Sequence, residues 1–185
     1  MKHHVCPWWL GYFLACPLRR LLQNPAELLA PYIKQGMTVL EPGPGMGFFT
    51  LELARLVGTN GRVIAIDVQP KMIDRLKRRA HEAGVSDRLD ARVCSSDSLG
   101  LADSADKVDF TFAFAVVHEL PSVAGFFAEV AGASKAGASL LLAEPAGHIR
   151  SEEFESELAE ASQAGFALLQ RPTIRRSRAA LLKRA

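Results

Sequence analysis

The stretch VLEPGPGMGFF, residues 39–49, decides the fold. Two apolar residues lead into an acid, Glu41, and glycines then occupy positions 43, 45 and 47. A glycine-rich turn between a buried strand and the next helix is typical of α/β proteins that bind a nucleotide or a related ligand. The loop therefore predicts a ligand site. The residue types in the loop indicate whether this ligand is a phosphate group, a dinucleotide or a nucleoside without phosphate.

The loop lacks the residues that phosphate binding needs. A triphosphate loop carries Lys and then Ser or Thr after its last glycine, whereas Phe48 and Phe49 follow Gly47 here. The dinucleotide pattern requires a third glycine or alanine where this chain has Phe48 or Thr50. Glu41 would also repel an anion at the helix N-terminus. The same carboxylate favours a ligand with a cationic centre.

Strand and helix patterns alternate on both sides of this loop. Apolar patterns and the alternation with helices predict five strands, at 37–42, 61–68, 89–97, 107–117 and 138–145. Helical spacing and capping residues predict helices at 24–33, 47–58, 70–84, 122–134 and 151–165, with Asn24 and Ser151 as N-caps. Two final strands, FALLQRP (166–172) and IRRSRAALLKR (174–184), are joined by a short turn. We therefore expect an α/β, doubly wound, seven-stranded and mostly parallel sheet with a C-terminal antiparallel hairpin and helices on both faces.

Length and composition limit the classes of function. The chain has 185 residues and a net charge of +2, which fits one domain and gives no indication of a nucleic-acid or membrane-surface partner. We expect residues 24–185 to form the core and residues 1–23 an apolar N-terminal arm. The apolar stretch 5–18 is too short to span a bilayer. Three cysteines at no recognised spacing favour a reducing, cytoplasmic compartment, and His3, His4 and Cys6 match no standard metal site, so no metal is expected.

The motifs together resemble those of the class I, Rossmann-like S-adenosyl-L-methionine (SAM)-dependent methyltransferases. VLEPGPGMG resembles their motif I, and VIAIDV (63–68) places an acid, Asp67, 20 residues after Gly47, as in motif II. SSDSL (95–99), VDFTFAFAVVHEL (108–120) and LLLAEP (140–145) resemble the motifs at the third, fourth and fifth strands. The resemblance is to the ubiquinone/menaquinone-type small-molecule branch. It covers residues 24–182 and implies SAM as cofactor, with S-adenosyl-L-homocysteine as product.

The resemblance also implies roles for individual residues. Asp67 would bond both ribose hydroxyls, and Asp97 would receive the adenine amino group. The implied cofactor contacts are Glu41, Gly43, Pro44, Gly45, Gly47, Asp67, Val68, Ser96, Asp97, Ser98, Phe114 and Ala115. SAM carries a sulfonium and an ammonium group but no phosphate. The cofactor implied by the resemblance therefore agrees with the residues of the loop.

The acceptor is left open by the sequence. HELP (118–121) follows the fourth strand. His118 is the predicted catalytic residue, and Glu119 is a weaker candidate. His148 is a candidate for the acceptor pocket. In-line methyl transfer requires mainly positioning, so no fixed catalytic residue is required. The resemblance to the small-molecule branch implies a small-molecule acceptor, and the absence of an N/D-P-P-Y/F motif argues against DNA. A protein or RNA methyltransferase and a catalytically silent SAM-binding module are the alternatives. The aromatic N-terminal arm is a hypothetical lid, and the oligomeric state is left open.

Overall fold

The computed structural model describes residues 23–185. The N-terminal arm, apart from its last residue, and the candidate metal ligands at positions 3, 4 and 6 therefore lie outside the described residues. Over the described range, the chain forms two compact units, residues 23–94 and residues 95–185. The expectation of one domain over residues 1–185 stays a prediction.

Residues 23–94 alternate helices and parallel strands. The elements are α1 (Pro25–Leu29), β1 (Thr38–Pro42), α2 (Thr50–Leu56), β2 (Arg62–Asp67), α3 (Pro70–Glu82) and β3 (Leu89–Val93), with a 3-10 turn at Ser86–Arg88. Thr38 pairs with Arg62 and Val63 with Leu89, both in parallel registers. The predicted N-cap is confirmed, since Asn24 Oδ1 accepts a hydrogen bond of 3.2 Å from the backbone N–H of Ala26.

The amphipathic pattern of α3 explains how this helix packs. Its buried residues recur at helical spacing and comprise Met72, Ile73, Leu76 and Ala80. Ile73 and Leu76 form a cluster with Ala65 of β2, against which Leu89 and Ala91 of β3 also pack. Burial of a Leu or Ile side chain contributes about 1.5–3 kcal/mol each. This packing fixes α3 against the strands beside the glycine loop.

Residues 95–185 contain the remaining strands and the antiparallel hairpin. The elements are β4 (Val108–Phe114), α4 (Val123–Ala133), β5 (Ser134–Pro145), α5 (Ser151–Gln163), β6 (Phe166–Gln170) and β7 (Ser177–Arg184), with 3-10 turns at Ala102–Ser104 and Val117–Glu119. β4 and β5 are parallel, whereas β7 runs antiparallel to both β5 and β6. The strand order is β3-β2-β1-β4-β5-β7-β6, which confirms the predicted seven-stranded, mostly parallel sheet with its terminal hairpin.

Several predicted boundaries were wrong. The N-cap of α5 is Arg150 rather than Ser151, because Glu153 Oε2 accepts a hydrogen bond of 2.8 Å from the Arg150 backbone N–H. β5 begins at Ser134, directly after α4, four residues before its predicted start. β4 ends at Phe114 because Ala115 has a φ of 56°, which turns the chain out of the strand. Throughout residues 23–185, no helix is both long and apolar enough to cross a membrane.

Candidate active site

The glycine loop follows β1 and is held by backbone hydrogen bonds, one to β2 and one within the loop. The Gly43 N–H donates to the Ile66 carbonyl at 2.8 Å, and the Gly47 N–H donates to the Pro44 carbonyl at 3.0 Å. Gly45 has a φ of 54°, and no heavy atom of the described chain lies within 4 Å of where its Cβ would be. The backbone at Gly45 is therefore open to a close approach by a ligand.

Glu41 is a buried carboxyl directly ahead of this loop. Its residue is only 3% exposed, and its Oε2 has no hydrogen-bond partner among the described residues. Burial raises the pKa of Glu41 from 4.5 to about 8, with the Thr50 side chain opposing the rise and the charge of Asp67 adding to it. A buried acid with an unpaired oxygen fits a cationic ligand group, which would stabilise its charged form. The residues therefore fit SAM, which brings a sulfonium and an ammonium.

Asp67 ends β2 and is also buried, at 8% exposure. Its Oδ1 accepts a hydrogen bond of 2.8 Å from the Gln69 backbone N–H, and its carbonyl accepts one from the Cys94 N–H. These bonds fix the carboxylate where β2 turns into α3. The next residue, Val68, is half-buried.

The loop after β3 contains three further predicted cofactor residues, Ser96, Asp97 and Ser98, and all three are exposed. The Ser98 N–H donates to Ser95 Oγ at 3.1 Å, and Ser96 Oγ donates to Asp97 Oδ1 at 3.0 Å. Sequence reasoning missed the side chain that anchors the loop, Glu129 of α4. Its carboxylate accepts hydrogen bonds of 3.0 Å from Ser98 Oγ and from the Leu99 backbone N–H.

The end of β4 leads into the predicted catalytic position. Phe114 is half-buried beside Phe112, with ring centroids 5.7 Å apart. The Ala115 N–H donates to the Ala143 carbonyl of β5 at 2.8 Å, and its left-handed backbone costs about 1–2 kcal/mol in a non-glycine residue. Strained residues of this kind cluster at functional sites. The strain brings the Val117–Glu119 turn to the carboxyl end of the strand.

His118 lies in a small cluster of titratable side chains. Its Nδ1 contacts Oε2 of the fully buried Glu144, its Nε2 lies 3.9 Å from Glu119 Oε1, and its ring centroid lies 5.5 Å from that of His148. The hydrogen bond to Glu144 raises the pKa of His118, against the effect of its burial. The sequence analysis gave no indication that Glu144, in the LLLAEP motif, would pair with His118.

Glu157 of α5 completes this cluster and was not predicted from the sequence. It is 5% exposed, and its Oε2 makes no hydrogen bond within the described part of the chain. Burial raises the pKa of Glu157 to about 8; the charge of Glu144 adds to the rise and that of His118 opposes it. Glu157 lies at helical spacing with the buried Phe154 and Ala161 of α5, and this spacing is the pattern that could have indicated its burial. The described residues contain no group of three or more His, Cys, Asp or Glu side chains arranged to hold a metal, so the expectation of no metal stays a prediction.

The fold and these residues define a class of protein, an α/β methyltransferase that uses SAM. The sequence profile of the methyltransferase domain family matches residues 33–175, and the chain belongs to this family. A SAM-dependent methyltransferase from Aquifex aeolicus has a similar structure, with a TM-score of 0.85 and 25% identity over 97% of this chain and 98% of that one. The predicted class and its cofactor, SAM, are confirmed.

Curated relatives match over shorter segments. The ubiquinone biosynthesis O-methyltransferase of Methylocella silvestris is 33% identical over 102 residues, which are 55% of this chain and 37% of the relative. The protein-L-isoaspartate O-methyltransferase of Methanococcoides burtonii is 36% identical over 80 residues, 43% of this chain and 38% of the relative. The chain therefore matches less than two-fifths of the length of either relative. One relative is named for a small molecule and the other for a protein, so the similarity does not identify the acceptor.

Proposed function

We propose that this protein transfers a methyl group from SAM to a small-molecule acceptor. The proposal that SAM is the methyl donor rests on the buried, unpaired Glu41 Oε2 ahead of an open glycine loop. Bound SAM supplies an electrophilic methyl on a sulfonium. Glu41 then carries the charge that a cationic ligand favours, and Asp67 provides a carboxylate for two ribose hydroxyls. The exposed Asp97 is the proposed partner of the adenine amino group.

Calorimetric titration with SAM, and separately with NADH, tests which cofactor the protein binds. Saturable SAM binding without NADH binding is expected, and Asp67→Asn should weaken the SAM affinity by about 10-fold or more through loss of charge-assisted bonds. Glu155→Gln, which removes an exposed carboxylate, is the matched control. NADH binding without SAM binding would contradict the proposal.

The proposal that the acceptor is a small molecule rests on the His118 cluster and on the similarity to the ubiquinone biosynthesis relative. Incubation of the protein and methyl-labelled SAM with a whole-cell extract, followed by size separation, tests it. Label in the small-molecule fraction supports the proposal. Label retained by proteins would favour the second candidate, a protein methyltransferase, which the isoaspartate relative supports. Label in neither fraction, with SAM bound, would favour a silent SAM-binding module.

A further inference from the structure

The turn after β4 is held by a single buried carboxylate. Glu144 is fully buried, and its Oε1 accepts hydrogen bonds from the backbone N–H groups of Val116, at 3.2 Å, and Val117, at 2.8 Å. The Ala115 N–H is bonded to β5 as well. The position of the Glu144 carboxylate relative to the turn is therefore fixed before any substrate binds.

The second oxygen of the same carboxylate contacts Nδ1 of His118. A carboxylate only accepts hydrogen bonds, so Nδ1 must carry the proton and donate it. The neutral ring then has a lone pair on Nε2, the nitrogen that faces away from Glu144. The nearest recorded partner of Nε2 is Glu119 Oε1, at 3.9 Å, which is beyond hydrogen-bond distance. The His118 side chain is 18% exposed, so the ring is not closed off from solvent.

We infer that Glu144 is a positioning residue that holds His118 in the Nδ1–H tautomer, and that the acceptor is a hydroxyl group whose proton passes to Nε2. The inference rests on the proposed function and specifies its substrate class. A neutral amine attacks through its lone pair, and a thiol, with a pKa near 8.5, ionises readily by itself. An alcohol or phenol depends most strongly on a base during attack.

The transfer balances in atoms and charge. The hydroxyl oxygen forms a bond to the methyl carbon as the S–CH3 bond breaks, and the electron pair of that bond returns to sulfur. The hydroxyl proton moves to Nε2, which converts neutral His118 into an imidazolium beside the Glu144 carboxylate. The products are a methyl ether, S-adenosyl-L-homocysteine and a protonated His118, which later releases its proton to solvent.

Neighbouring charges support this assignment. The groups that face His118 are Glu144 of β5, Glu119 of its own turn, Glu157 of α5 and His148 of the following loop. The charges of Glu144 and Glu119 stabilise the imidazolium that the transfer produces. Glu157 favours its neutral form near pH 7, so the cluster avoids a second fully buried negative charge next to Glu144.

The deciding experiment observes the ring nitrogens of His118 in the full chain, ¹⁵N-labelled at histidine, by two-dimensional NMR over a pH titration. His118→Gln assigns the His118 signal among the five histidines. The expected result for the wild type is the Nδ1–H tautomer with a pKa above that of a free histidine. Glu144→Gln should reverse the tautomer, because its amide NH2 would donate to Nδ1, and should lower the pKa. Glu155→Gln should change neither.

Each outcome decides the inference. An Nε2–H tautomer in the wild type would overturn it, and this readout remains even if Glu144→Gln fails to fold. With the acceptor from the labelling experiment, Glu144→Gln should lower kcat by about 100-fold or more at unchanged KM for SAM. Label on a carbon, nitrogen or sulfur atom would overturn the hydroxyl assignment while leaving the methyltransferase proposal intact. Absence of SAM binding would instead contradict the proposed function and leave the tautomer result to decide the role of Glu144.

Discussion

A methyl group added at Gly47 would lie 2.4 Å from Cδ1 of Leu76. Leu76 is fully buried on α3, so its side chain would have to shift within the core. Gly45, two residues earlier, has the same left-handed backbone but open space at its Cβ position. The two glycines of one loop are therefore needed for different reasons, Gly47 for packing and Gly45 for access.

Gly45→Ala and Gly47→Ala form a matched pair that separates these roles. Both variants incur a backbone strain of about 1–2 kcal/mol, and Gly47→Ala adds about 1–3 kcal/mol of overpacking. Urea unfolding should therefore show Gly47→Ala to be the less stable variant. Gly45→Ala should lose SAM affinity out of proportion to its smaller loss of stability. Equal stabilities would contradict the packing role of Gly47.

The affinity for SAM should increase with pH up to about pH 8. In the protein without bound SAM, the pKa of Glu41 is raised to about 8. Below that pH, Glu41 must therefore lose a proton before its carboxylate can face a cation. One linked proton changes the affinity by about tenfold per pH unit, and the dependence flattens above the pKa. Calorimetry in buffers of different ionisation enthalpy measures both the affinity and the released proton.

Glu41→Gln should bind SAM more weakly and without this pH dependence. Asp67→Asn is the comparison that keeps Glu41, so it should weaken binding but retain proton release. A wild-type affinity that is constant from pH 6 to pH 8 would show that Glu41 does not ionise on binding.

The carboxylate of Glu129 should influence SAM affinity without a large effect on folding. It anchors Ser98 and Leu99 of the exposed loop that contains Asp97. Glu129→Ala removes these bonds, which water can replace at this exposed loop, and leaves the loop free to sample other conformations. We expect SAM affinity to fall by about 3- to 10-fold with little change in the urea midpoint. Glu155→Ala is the control, and equal affinities for the two variants would contradict the role of Glu129.

The sequence predicted the order of elements because the physical pattern was local. Apolar runs in strands such as Ile64–Ile66, and the Pro70 and Gly84 limits of α3, depend on residues close in the chain. The confirmed cap at Asn24 is local for the same reason. The wrong cap at Ser151 shows the limit of such patterns. There, Glu153 reaches back to Arg150, and the choice between adjacent residues depends on geometry.

The acid–base cluster was not predictable because its contacts are distant in sequence. Glu144 and His118 are 26 residues apart, and in the sequence Glu144 is simply an acid near the end of a strand. The buried state of Glu157 depends on which face of α5 packs inward, in a helix with five acids. His118 itself was selected only for its place after β4. Its pairing with a buried carboxylate emerged from the fold.

Glu157 should make the folded state less stable as the pH rises. Its pKa is about 8 in the folded protein and close to 4.5 in the unfolded chain, so the folded state holds the extra proton between these values. The stabilising contribution of this proton to the free energy of unfolding is fully present below about pH 4.5 and is lost as the pH rises through 8. For one proton, the slope is at most about 1.4 kcal/mol per pH unit. Glu157→Gln is always neutral, so its free energy of unfolding should depend less steeply on pH and should exceed that of the wild type near pH 9.

Urea unfolding at unit steps from pH 5 to pH 9 measures the difference. Glu155→Gln, on an exposed part of the same helix, should follow the wild-type slope, and parallel curves for Glu157→Gln and the wild type would show that Glu157 is ionised in the folded protein throughout this range.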